Sequence, residues 1–551
     1  MLIAASLLFL APQLVVTEQQ KLRPSDSFTN DVFACSVDVL DELAVAGAPG
    51  HYHPVLGART GAAYVFETSG GTWHEQMLLL PSNVGAATSK LWQFGQAVAC
   101  DASRVIVGAP NASLPTLAGS GLAFVYVRAG VTWVEEGILR PGDFGDWFGK
   151  SVDIDGTTAI VGCGWPGTGA TPPGAAYIFE RGVSGWVQQA KLQSSDIVFG
   201  DRFGASVIYR DDWAFVGAPR ADGVEASAGA VYVFRRNGIQ WSQAQKLSAA
   251  NGRRGDEFGA SLAFDGTTLV AGAPQHDEGR WIDVGAAYVF QTEGNLWVEK
   301  QCLVPKGYFP GDHAGWSVAV HANRLAVGAP EGNWFQPGHV ILYAQTPRGW
   351  FEHRELSPVG ASPKEDFGRA LALDRSQLTV GAPSASNPWN GAGVGFVLDV
   401  SSQGDRPTYY CSAKQDSKGC LPRIYHIGQP SVSGTQTGET YEVGAWDMQA
   451  HKPGLLVYST TGAASAPFAG GILCVQAPLV RTPAQITPEI GLNPPCDGKF
   501  VFDFNAWIAS GVDPSLVAGQ PVWMQYWYRD PTGAPGNDVG LSQGIFVVIG
   551  P

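Results

Sequence analysis

The sequence predicts an all-β protein, and three observations support this prediction. The chain of 551 residues contains 70 Gly and 37 Pro, enough for frequent tight turns, without the Gly-X-Y period of collagen. Hydrophobic residues make up 45% of the chain and charged residues only 15%, so the chain can fill several cores and general disorder is excluded. One short pattern recurs seven times in the first 400 residues, which indicates a repeat architecture rather than one ordinary domain.

The N-terminal segment, residues 1–16, contains the only apolar run of note, LIAASLLFLAP. This run is shorter than the roughly 20 apolar residues that a membrane-spanning helix needs, and it stands where secretory signal peptides occur. We therefore expect a signal peptide here and no membrane span in the mature chain. Together with the cysteines of the C-terminal region, the segment predicts a secreted or cell-surface protein.

Two landmarks define the repeat. The tripeptide Gly-Ala-Pro begins at Gly47, Gly108, Gly217, Gly272, Gly328 and Gly381, and Gly162 begins a degenerate copy, Gly-Cys-Gly. Successive copies lie 53–61 residues apart. A second landmark, Phe-Gly, precedes most copies by one short strand; it begins at Phe94, Phe148, Phe203, Phe258 and Phe367, with Phe33-Ala34 and Ala314-Gly315 as weaker versions. The landmarks divide residues 17–400 into seven units.

Each unit predicts four short strands. In the fifth unit, FGASLAF begins at Phe258, a turn at Asp265-Gly266 leads to TLVAGAP, and GAAYVF begins the third strand at Gly285 after a loop. The fourth strand begins at a Trp and reaches a Leu six residues later in six units, as at Trp297 and Leu303. Because the side chains of a strand alternate between its faces, this even offset predicts that Trp and Leu share one face and pack between neighbouring units.

The two ends of the repeat predict how it closes. The last unit ends at residues 393–400 without a Trp strand, whereas residues 17–22 (TEQQKL) match the fourth strand WSQAQKL of another unit. An N-terminal strand that completes the last sheet would close a ring and leave no exposed edge. We therefore predict a seven-bladed β-propeller over residues 17–400, closed by an N-terminal strand. Residues 401–407 form a linker, and the strand-like runs of residues 408–551 predict a β-sandwich-like domain.

The Phe-Gly and Gly-Ala-Pro landmarks, repeated in phase, resemble FG-GAP repeats, the units of the integrin α-subunit propeller and of many bacterial extracellular proteins. The resemblance covers about 70% of the chain. Calcium-binding members of that family carry an acidic D-x-D-G-x-x-D loop between the first two strands. The corresponding turns at Asp101, Asp155, Asp265 and Asp374 each carry one Asp, too few oxygens for calcium. We therefore expect no calcium, no other metal and no cofactor, and interpret these Asp residues as turn residues.

A second set of acidic residues stands just ahead of the Phe-Gly landmarks, one in each of five units. The set is Asp146, Asp201, Asp256, Asp312 and Asp366. Hydrogen bonding of the carboxylates to turn amides explains these positions without any ligand.

The eight cysteines fall into two groups. Cys411 and Cys420 lie close together in sequence, as do Cys474 and Cys496. Since no Cys-x-x-Cys pair and no zinc-finger His spacing occurs, we predict two disulfides between these sequence neighbours rather than a metal site. We interpret the other four cysteines as small buried apolar residues. They are Cys35, Cys100, Cys163 and Cys302.

A candidate ligand-binding surface follows from strand alternation. In a four-stranded meander, the loops between the second and third strands share one rim with the blade-to-blade connections. These loops carry large aromatic and imidazole side chains, which serve as flat binding platforms for sugars, peptides and proteins; the alternative is that the rings fold back onto their own loops. The candidates are His51, Tyr52, His53, Trp165, Trp281, Trp334, Phe335 and Trp389.

Charge and motifs restrict the function. The formal net charge is −14 and no basic run could follow a phosphate backbone, so we expect no nucleic-acid partner. No nucleophile elbow, phosphate loop or HExxH motif occurs, and no catalytic residue is predicted. We predict a monomeric, exported, non-enzymatic protein that binds extracellular protein or glycan. The alternatives are a lyase or hydrolase that acts on extracellular polysaccharide and a structural surface component.

The C-terminal region shows a weaker resemblance. The segments GGILCV, FDFNAWIASG and QYWYRDP, with two of the cysteines ahead of them, resemble a module of predicted secreted proteins of planctomycete-like bacteria. The resemblance implies secretion and brings no activity with it.

Overall fold

A computed structural model describes residues 18–549. The description has gaps at 54–57, 83–91, 113–119, 142–146, 165–173, 280, 306–309, 332–337, 347–348, 359–363, 376, 387–389, 401–407, 411–413, 415, 421, 428–429, 431, 433–440, 469–470, 488–495, 497, 519 and 531–538. The predicted signal peptide, the predicted linker and Cys411 lie outside the described residues. The chain divides into two compact units, one formed by residues 15–350 and 355–401 and the other mainly by residues 402–551.

The first unit consists of seven four-stranded antiparallel sheets, here called blades 1–7. The N-terminal strand β1 (Glu18–Leu22) belongs to blade 7. Blade 1 comprises β2 (Val37–Leu40), β3 (Leu43–Ala48), β6 (Ala62–Ser69) and β7 (Thr72–Leu79), and its strand 2–3 loop holds the short hairpin of β4 (Tyr52–His53) and β5 (Ala58–Arg59). Blade 2 comprises β8 (Ala97–Cys100), β9 (Arg104–Ala109), β10 (Leu122–Ala129) and β11 (Thr132–Leu139).

The remaining blades repeat this order of strands. Blade 3 comprises β12 (Ser151–Asp155), β13 (Thr158–Gly162), β14 (Ala176–Gly182) and β15 (Gly185–Leu192), and blade 4 comprises β16 (Ser206–Arg210), β17 (Trp213–Ala218), β18 (Ala230–Asn237) and β19 (Gln240–Leu247). Blade 5 comprises β20 (Ser261–Phe264), β21 (Thr268–Ala273), β22 (Ala286–Glu293) and β23 (Leu296–Leu303). Blade 6 comprises β24 (Ser317–His321), β25 (Arg324–Ala329), β26 (His339–Thr346) and β27 (Gly349–Leu356). Blade 7 adds β28 (Ala370–Asp374), β29 (Gln377–Ala382) and β30 (Val394–Asp399) to β1.

The seven blades form a closed ring. The first strand of each blade contacts that of the next, and the first strand of blade 7 contacts that of blade 1. Seven hydrophobic clusters fill the seven interfaces between neighbouring blades. The predicted β-propeller is confirmed, and its core is distributed around the ring because each blade buries both faces against its neighbours.

The Gly landmarks keep the blades close together. A Cβ atom added to the first Gly of Gly-Ala-Pro would overlap the backbone of the following blade; at Gly108 it would meet the carbonyl oxygen of Gly149. Gly121, which precedes the third strand of blade 2, pairs with Phe148 of blade 3 in an isolated parallel bridge, and the same bridge joins four other pairs of blades. The landmarks therefore mark positions where one backbone approaches another too closely for a side chain.

The N-terminal strand closes the ring as the sequence predicts. Strand β1 pairs antiparallel with β30, and Leu22 is buried between blades 7 and 1. The amide of Gln20 accepts a hydrogen bond from the backbone N–H of Trp73 and donates one to its carbonyl oxygen. Gln245 forms the same pair of bonds with Trp297 in the next blade. Strand β1 thus takes the place of a fourth strand in both pairing and side-chain contacts.

The predicted common face of Trp and Leu in the fourth strand is wrong. Trp73 packs in the interface between blades 7 and 1, whereas Leu79 packs between blades 1 and 2. A β-bulge explains the difference, because the pairing of β6 with β7 shifts by one residue between Val65 and Phe66. One extra residue reverses the alternation of side chains. Blades 2–5 carry the same bulge, so both residues pack between blades, but in opposite interfaces.

The C-terminal unit is β-rich and contains several sheets. Its main sheet has the order β31 (Thr408–Tyr410), β41 (Val539–Val548), β40 (Pro521–Arg529), β34 (Pro453–Ser459) and β37 (Val480–Arg481), with β38 (Gln485–Ile486) also paired to β34. A second sheet comprises β32 (Arg423–Ile427), β33 (Glu442–Met448) and β39 (Gly498–Asp503), and a hairpin joins β35 (Ala463–Phe468) to β36 (Gly471–Val475). The short helix α1 (Phe504–Ala509) follows β39.

One hydrophobic core joins the two larger sheets of this unit. Val443 of β33 and Phe500 of β39 pack in the same cluster as Leu456 of β34 and Tyr526 of β40. Asp503 caps α1 by accepting a hydrogen bond from the backbone N–H of Ala506. The packing of two sheets around one core agrees with the predicted sandwich-like arrangement.

The predicted disulfide pairing is wrong. Cys420 is bonded to Cys496, 76 residues away, with a Cα–Cα distance of 5.3 Å. Cys474 is also disulfide-bonded. Neither bond joins sequence neighbours, because the fold brings distant segments together and proximity in sequence carries little information on pairing. The cysteines that are free are those of the propeller, namely Cys35, Cys100, Cys163 and Cys302.

Candidate ligand-binding rim

The strand 2–3 loops and the blade-to-blade connections lie on one rim of the propeller, here called the loop rim. The parallel bridge between Gly61 and Phe94 joins the end of a strand 2–3 loop in blade 1 to the start of blade 2. Equivalent bridges in other blades, such as Gly285 with Ala314, place these segments together around the ring. The loop rim is therefore the surface that strand alternation predicts for ligand binding.

Two of the predicted rim residues are buried. His51 is 3% exposed and His53 is 9% exposed. The ring of His51 lies edge-on to Tyr64, and its Nδ1 atom is 3.2 Å from the Tyr64 hydroxyl and 3.5 Å from Asp31. His51 therefore packs beneath the loop, and burial lowers the pKa of His53.

The other predicted rim residues fall into two groups. Tyr52 is 45% exposed and Trp281 is 36% exposed, so both rings are accessible from solvent. Four further candidates lie outside the described residues, namely Trp165, Trp334, Phe335 and Trp389. The prediction that these six aromatic residues bind a ligand stays a prediction.

The buried imidazole of blade 1 has a counterpart in blade 5. His276 lies 3.1 Å from Asp256 and 3.3 Å from the Tyr288 hydroxyl through Nδ1, and 3.8 Å from Glu278 through Nε2. His51 and His276 both stand two residues after the Pro of Gly-Ala-Pro. The sequence analysis missed His276, although this shared repeat position would have predicted that both imidazoles pack in the same way.

The acidic residues of the turns act as the sequence analysis interprets them. Asp201 accepts a hydrogen bond from the backbone N–H of Val198 at 2.8 Å, and Asp256 accepts one from that of Arg253 at 2.9 Å. On the opposite rim, Asp265 accepts hydrogen bonds from the backbone N–H groups of Thr267 and Thr268. Among the described residues, no group of three or more His, Cys, Asp and Glu side chains could hold a metal ion.

The most distinctive feature of the loop rim is a ring of left-handed residues at the entrance of the central channel. In every blade, the residue before the Phe-Gly landmark or its weaker version has φ between +54° and +64°, although none of the seven is Gly. This conformation costs on the order of 1 kcal/mol for a residue with a side chain. The seven residues, here called the turn residues, are Val32, Gln93, Trp147, Arg202, Glu257, His313 and Asp366. The backbone repeats, whereas the side chains differ in every blade.

A second set of side chains lies three residues further along. These residues close the same turns, since the backbone N–H of Lys150 bonds to Trp147 O and that of Trp316 bonds to His313 O. The set, here called the channel residues, comprises Cys35, Gln96, Lys150, Ala205, Ala260, Trp316 and Arg369. Six residue types occur at these seven positions, with Ala in both blade 4 and blade 5. The sequence analysis relied on repeated residues and, although it named Asp366, recognised neither set. Variation at a fixed offset from Phe-Gly is the signal that identifies them.

Channel residues of different blades influence one another's protonation. Burial, together with the guanidinium groups of Arg369 in blade 7 and Arg202 in blade 4, lowers the pKa of Lys150 in blade 3. Burial also raises the pKa of the Cys35 thiol of blade 1 to about 12, against the opposing effect of both cations. Since blades 1 and 3 are not neighbours in the ring, this electrostatic effect does not act across a single blade interface.

Several of these cations have carboxylate partners. Glu257 Oε1 lies 3.7 Å from Arg202 Nη1 and 3.3 Å from Arg220 Nε. Glu331 lies 3.9 Å from Arg369 and 3.3 Å from His313. The Arg369 guanidinium also lies 4.0 Å from the centre of the Trp316 ring, within the range of a cation–π interaction. The channel entrance therefore combines charged groups of both signs with aromatic rings.

The comparison with protein families agrees with this architecture. The model of the FG-GAP repeat matches residues 16–66, 133–179, 186–234 and 241–290. These four segments of the chain are FG-GAP repeats. No curated protein matches the chain. Within the described part of the chain, no helix has the length and apolar character that crossing a bilayer requires.

Deeper in the FG-GAP propeller, two acidic side chains link the innermost strands. Asp38 accepts a hydrogen bond from the backbone N–H of Cys100, and Asp153 accepts one from that of Tyr209, each in the next blade. Burial raises the pKa of Asp38 to about 6 and that of Asp153 to about 7. Desolvation thus favours the protonated form of both carboxyl groups.

Proposed function

We propose that this protein is an exported binding protein that holds an extracellular protein or glycan on the loop rim of its propeller. One observation supports the proposal most strongly: seven equivalent, conformationally restricted turns carry seven different side chains around the channel entrance. A fold requirement would favour the same residue, above all Gly, at each of these positions. Different side chains on one repeated backbone suit the recognition of an asymmetric ligand.

The exposed aromatic residues extend this surface outward. Tyr52 in blade 1 and Trp281 in blade 5 present accessible rings on the same rim. Such rings offer apolar contact area at a low cost in side-chain entropy, and they are frequent at the centres of binding sites. The function we propose is binding without catalysis.

Export is supported by two further features. The Cys420–Cys496 disulfide belongs to an oxidising compartment. FG-GAP repeats resemble those of extracellular proteins, and the apolar segment of residues 1–16 has the character of a signal peptide. We therefore place the protein outside the cell or on its surface.

A glycan array and a panel of extracellular proteins test the proposal with the intact chain. The double variant Tyr52→Ala, Trp281→Ala should lose at least tenfold in affinity for any ligand found, since buried aromatic contacts commonly contribute 1.4 kcal/mol or more, about a factor of 10. The matched control is Ile239→Ala, because Ile239 is 79% exposed on a turn of the opposite rim. Equal losses in both variants would contradict a binding site on the loop rim, and release of reducing sugar would favour an enzyme.

A further inference from the structure

The loop rim of blade 4 carries a group of exposed apolar side chains. Val198 and Phe199, in the connection from blade 3, and Val224, in the strand 2–3 loop, are 60–61% exposed. The backbone N–H of Arg220 bonds to the carbonyl oxygen of Asp201 at 3.2 Å, which joins the connection to the loop. Exposed apolar side chains in adjacent segments, unlike scattered single ones, are typical of contact surfaces.

Two arginines border these apolar side chains. Arg253 and Arg254 stand in the connection from blade 4 to blade 5, and both are exposed. The backbone N–H of Arg254 bonds to Glu225 Oε2 at 2.9 Å, and that of Gly255 bonds to the carbonyl oxygen of Ser227 at 3.0 Å. The connection therefore lies directly beside the strand 2–3 loop. The five residues, here called the blade 4 patch, are Val198, Phe199, Val224, Arg253 and Arg254.

Neither guanidinium group of this patch has a carboxylate partner within the described part of the chain. The three carboxylates of the surrounding turns form other contacts. Glu225 and Asp222 each accept a backbone N–H at 2.9 Å, and Glu257 lies between Arg202 and Arg220. The patch therefore keeps two sets of charged N–H donors available for the carboxylates of a partner. The gaps of the description in the adjoining loops contain no acidic residue; they are residues 165–173, 280 and 306–309.

We propose that the blade 4 patch binds a protein partner through an acidic segment that also carries apolar side chains. The proposal rests on the proposed function of the loop rim and selects a protein from its two ligand classes. Arg is frequent at the energetic centres of protein interfaces, because its planar guanidinium group binds a carboxylate through two hydrogen bonds. The whole chain has a net charge of −14, so an acidic partner needs a local group of unpaired cations, which this patch supplies.

The apolar side chains of the patch favour a peptide segment over a glycan. Sugars bind on flat aromatic rings, whereas two of the three apolar side chains here are those of Val198 and Val224. Branched aliphatic side chains suit contact with the apolar side chains of another protein. An acidic glycan would satisfy the charge of Arg253 and Arg254 but would leave this apolar surface without a matching partner.

A peptide array tests the proposal on the full chain. The probes are decapeptides with Phe-Leu at the centre and from zero to four Glu residues at varied positions, and fluorescence polarisation measures the affinity of the tightest binder. The double variant Arg253→Gln, Arg254→Gln should bind this peptide at least tenfold more weakly than the wild type, because two charge-assisted contacts are lost. Phe199→Ser should also weaken binding at least tenfold, as the loss of an aromatic contact commonly does.

A second arginine pair of the same blade provides the matched control. Arg235 and Arg236 stand at the end of β18 on the opposite rim, and the Arg235 guanidinium lies 5.0 Å from the centre of the Trp213 ring. The double variant Arg235→Gln, Arg236→Gln removes the same charge from the chain and should bind the peptide like the wild type.

Each other outcome overturns the proposal in a defined way. Equal affinity for peptides with and without Glu would show that no carboxylate is recognised, and equal losses in both double variants would assign the effect to net charge rather than to the patch. Trigalacturonate binding that depends on Arg253 and Arg254, with no peptide bound, would make the patch a site for acidic glycans. Failure of every Glu-containing peptide, together with a ligand that depends on Tyr52 and Trp281, would end this proposal and leave the proposed function standing. Thermal unfolding separates a loss of binding from a loss of folding, because an intact fold keeps the transition of the wild type.

Discussion

The propeller and the C-terminal unit are both β-rich, but different interactions stabilise them. The propeller divides its core into seven similar clusters, one at each blade interface, and its described cysteines are free. The C-terminal unit has one core that joins its two larger sheets, together with the Cys420–Cys496 disulfide. A repeat depends on close backbone contact at every interface, whereas a single core can be supported by one covalent link between distant segments.

The largest expected effect breaks the close contact between blades. Gly121 has φ +77°, and an added Cβ atom would overlap the Phe148 carbonyl oxygen of the next blade. Gly121→Ala should therefore lower the free energy of unfolding by about 3–5 kcal/mol or prevent folding. Gly130 in the same blade has φ +68° with open space around it, so Gly130→Ala should cost only about 1 kcal/mol. Chemical denaturation of both variants measures the difference, and equal costs would show that backbone proximity is not what the landmark requires.

The next prediction concerns the covalent link of the C-terminal unit. Replacing Cys420 and Cys496 together by Ser should destabilise this unit by about 2–4 kcal/mol, since the bond closes a long loop of the unfolded chain. Hydrogen exchange followed by mass spectrometry should show faster exchange in β33 and β39 and unchanged exchange in blade 5. Cys302→Ser, in blade 5, is the control without a disulfide. Non-reducing peptide mapping of the wild type should recover the Cys420–Cys496 peptide, and a Cys411–Cys420 peptide would refute the pairing.

Carboxyl groups in the two regions should respond to pH with opposite signs. Burial raises the pKa of Asp153 in the propeller to about 7. In the C-terminal unit, burial opposes the effect of hydrogen bonds from Ser515 and Tyr458, but the hydrogen bonds prevail and lower the pKa of Asp513. A raised pKa favours the fold at low pH, and this stabilisation is lost as the pH rises from about 4 through 7. A lowered pKa stabilises the fold above about pH 4, and this stabilisation is lost in acid.

These signs predict opposite effects of the same substitution. Above pH 7, Asp153→Asn should raise the free energy of unfolding by about 1–2 kcal/mol. This is less than the whole pKa shift of Asp153 corresponds to, because Asp153 is not completely withdrawn from solvent. This gain should vanish below about pH 4, where the wild-type carboxyl is protonated in both states. Asp513→Asn should instead lower stability at pH 7 by less than about 1 kcal/mol. Urea denaturation at pH 4 and pH 7.5 distinguishes the two, and equal signs would contradict the assigned protonation.

The comparison also shows which parts of the fold the sequence predicts. Repetition made the propeller predictable, because each unit could be compared with six others. The match of residues 17–22 to a fourth strand predicted the ring closure, which the pairing of β1 with β30 and the burial of Leu22 confirm. The β-bulge at Val65 and Phe66 could not be predicted, because an extra residue in a strand leaves no mark in its composition. In the C-terminal unit nothing repeats, and the disulfide pairing therefore depended on proximity in sequence alone.

The candidate site was predicted only in part, for a related physical reason. Strand alternation located the loop rim correctly, but it could not tell exposed Tyr52 from its buried neighbours His51 and His53. Side-chain direction within a loop depends on tertiary contacts, here the packing of His51 against Tyr64. The turn residues and channel residues are not marked by a repeated residue type, so the repeat pattern does not identify them. In a propeller, the positions that vary on a repeated backbone carry more information about the ligand than the positions that repeat.

The last prediction tests the role of the acidic turns of the propeller. Asp265 holds its turn by accepting hydrogen bonds from Thr267 and Thr268, so Asp265→Ala should cost about 1 kcal/mol, as the loss of a similar cap does in helices. Asp503→Ala, which removes the cap of α1 in the C-terminal unit, should cost a similar amount. Both costs should be the same in calcium and in chelator, because side-chain hydrogen bonds to backbone amides need no ion. A melting temperature of the wild type that rises with calcium and loses this dependence in Asp265→Ala would show instead that the turn binds the ion.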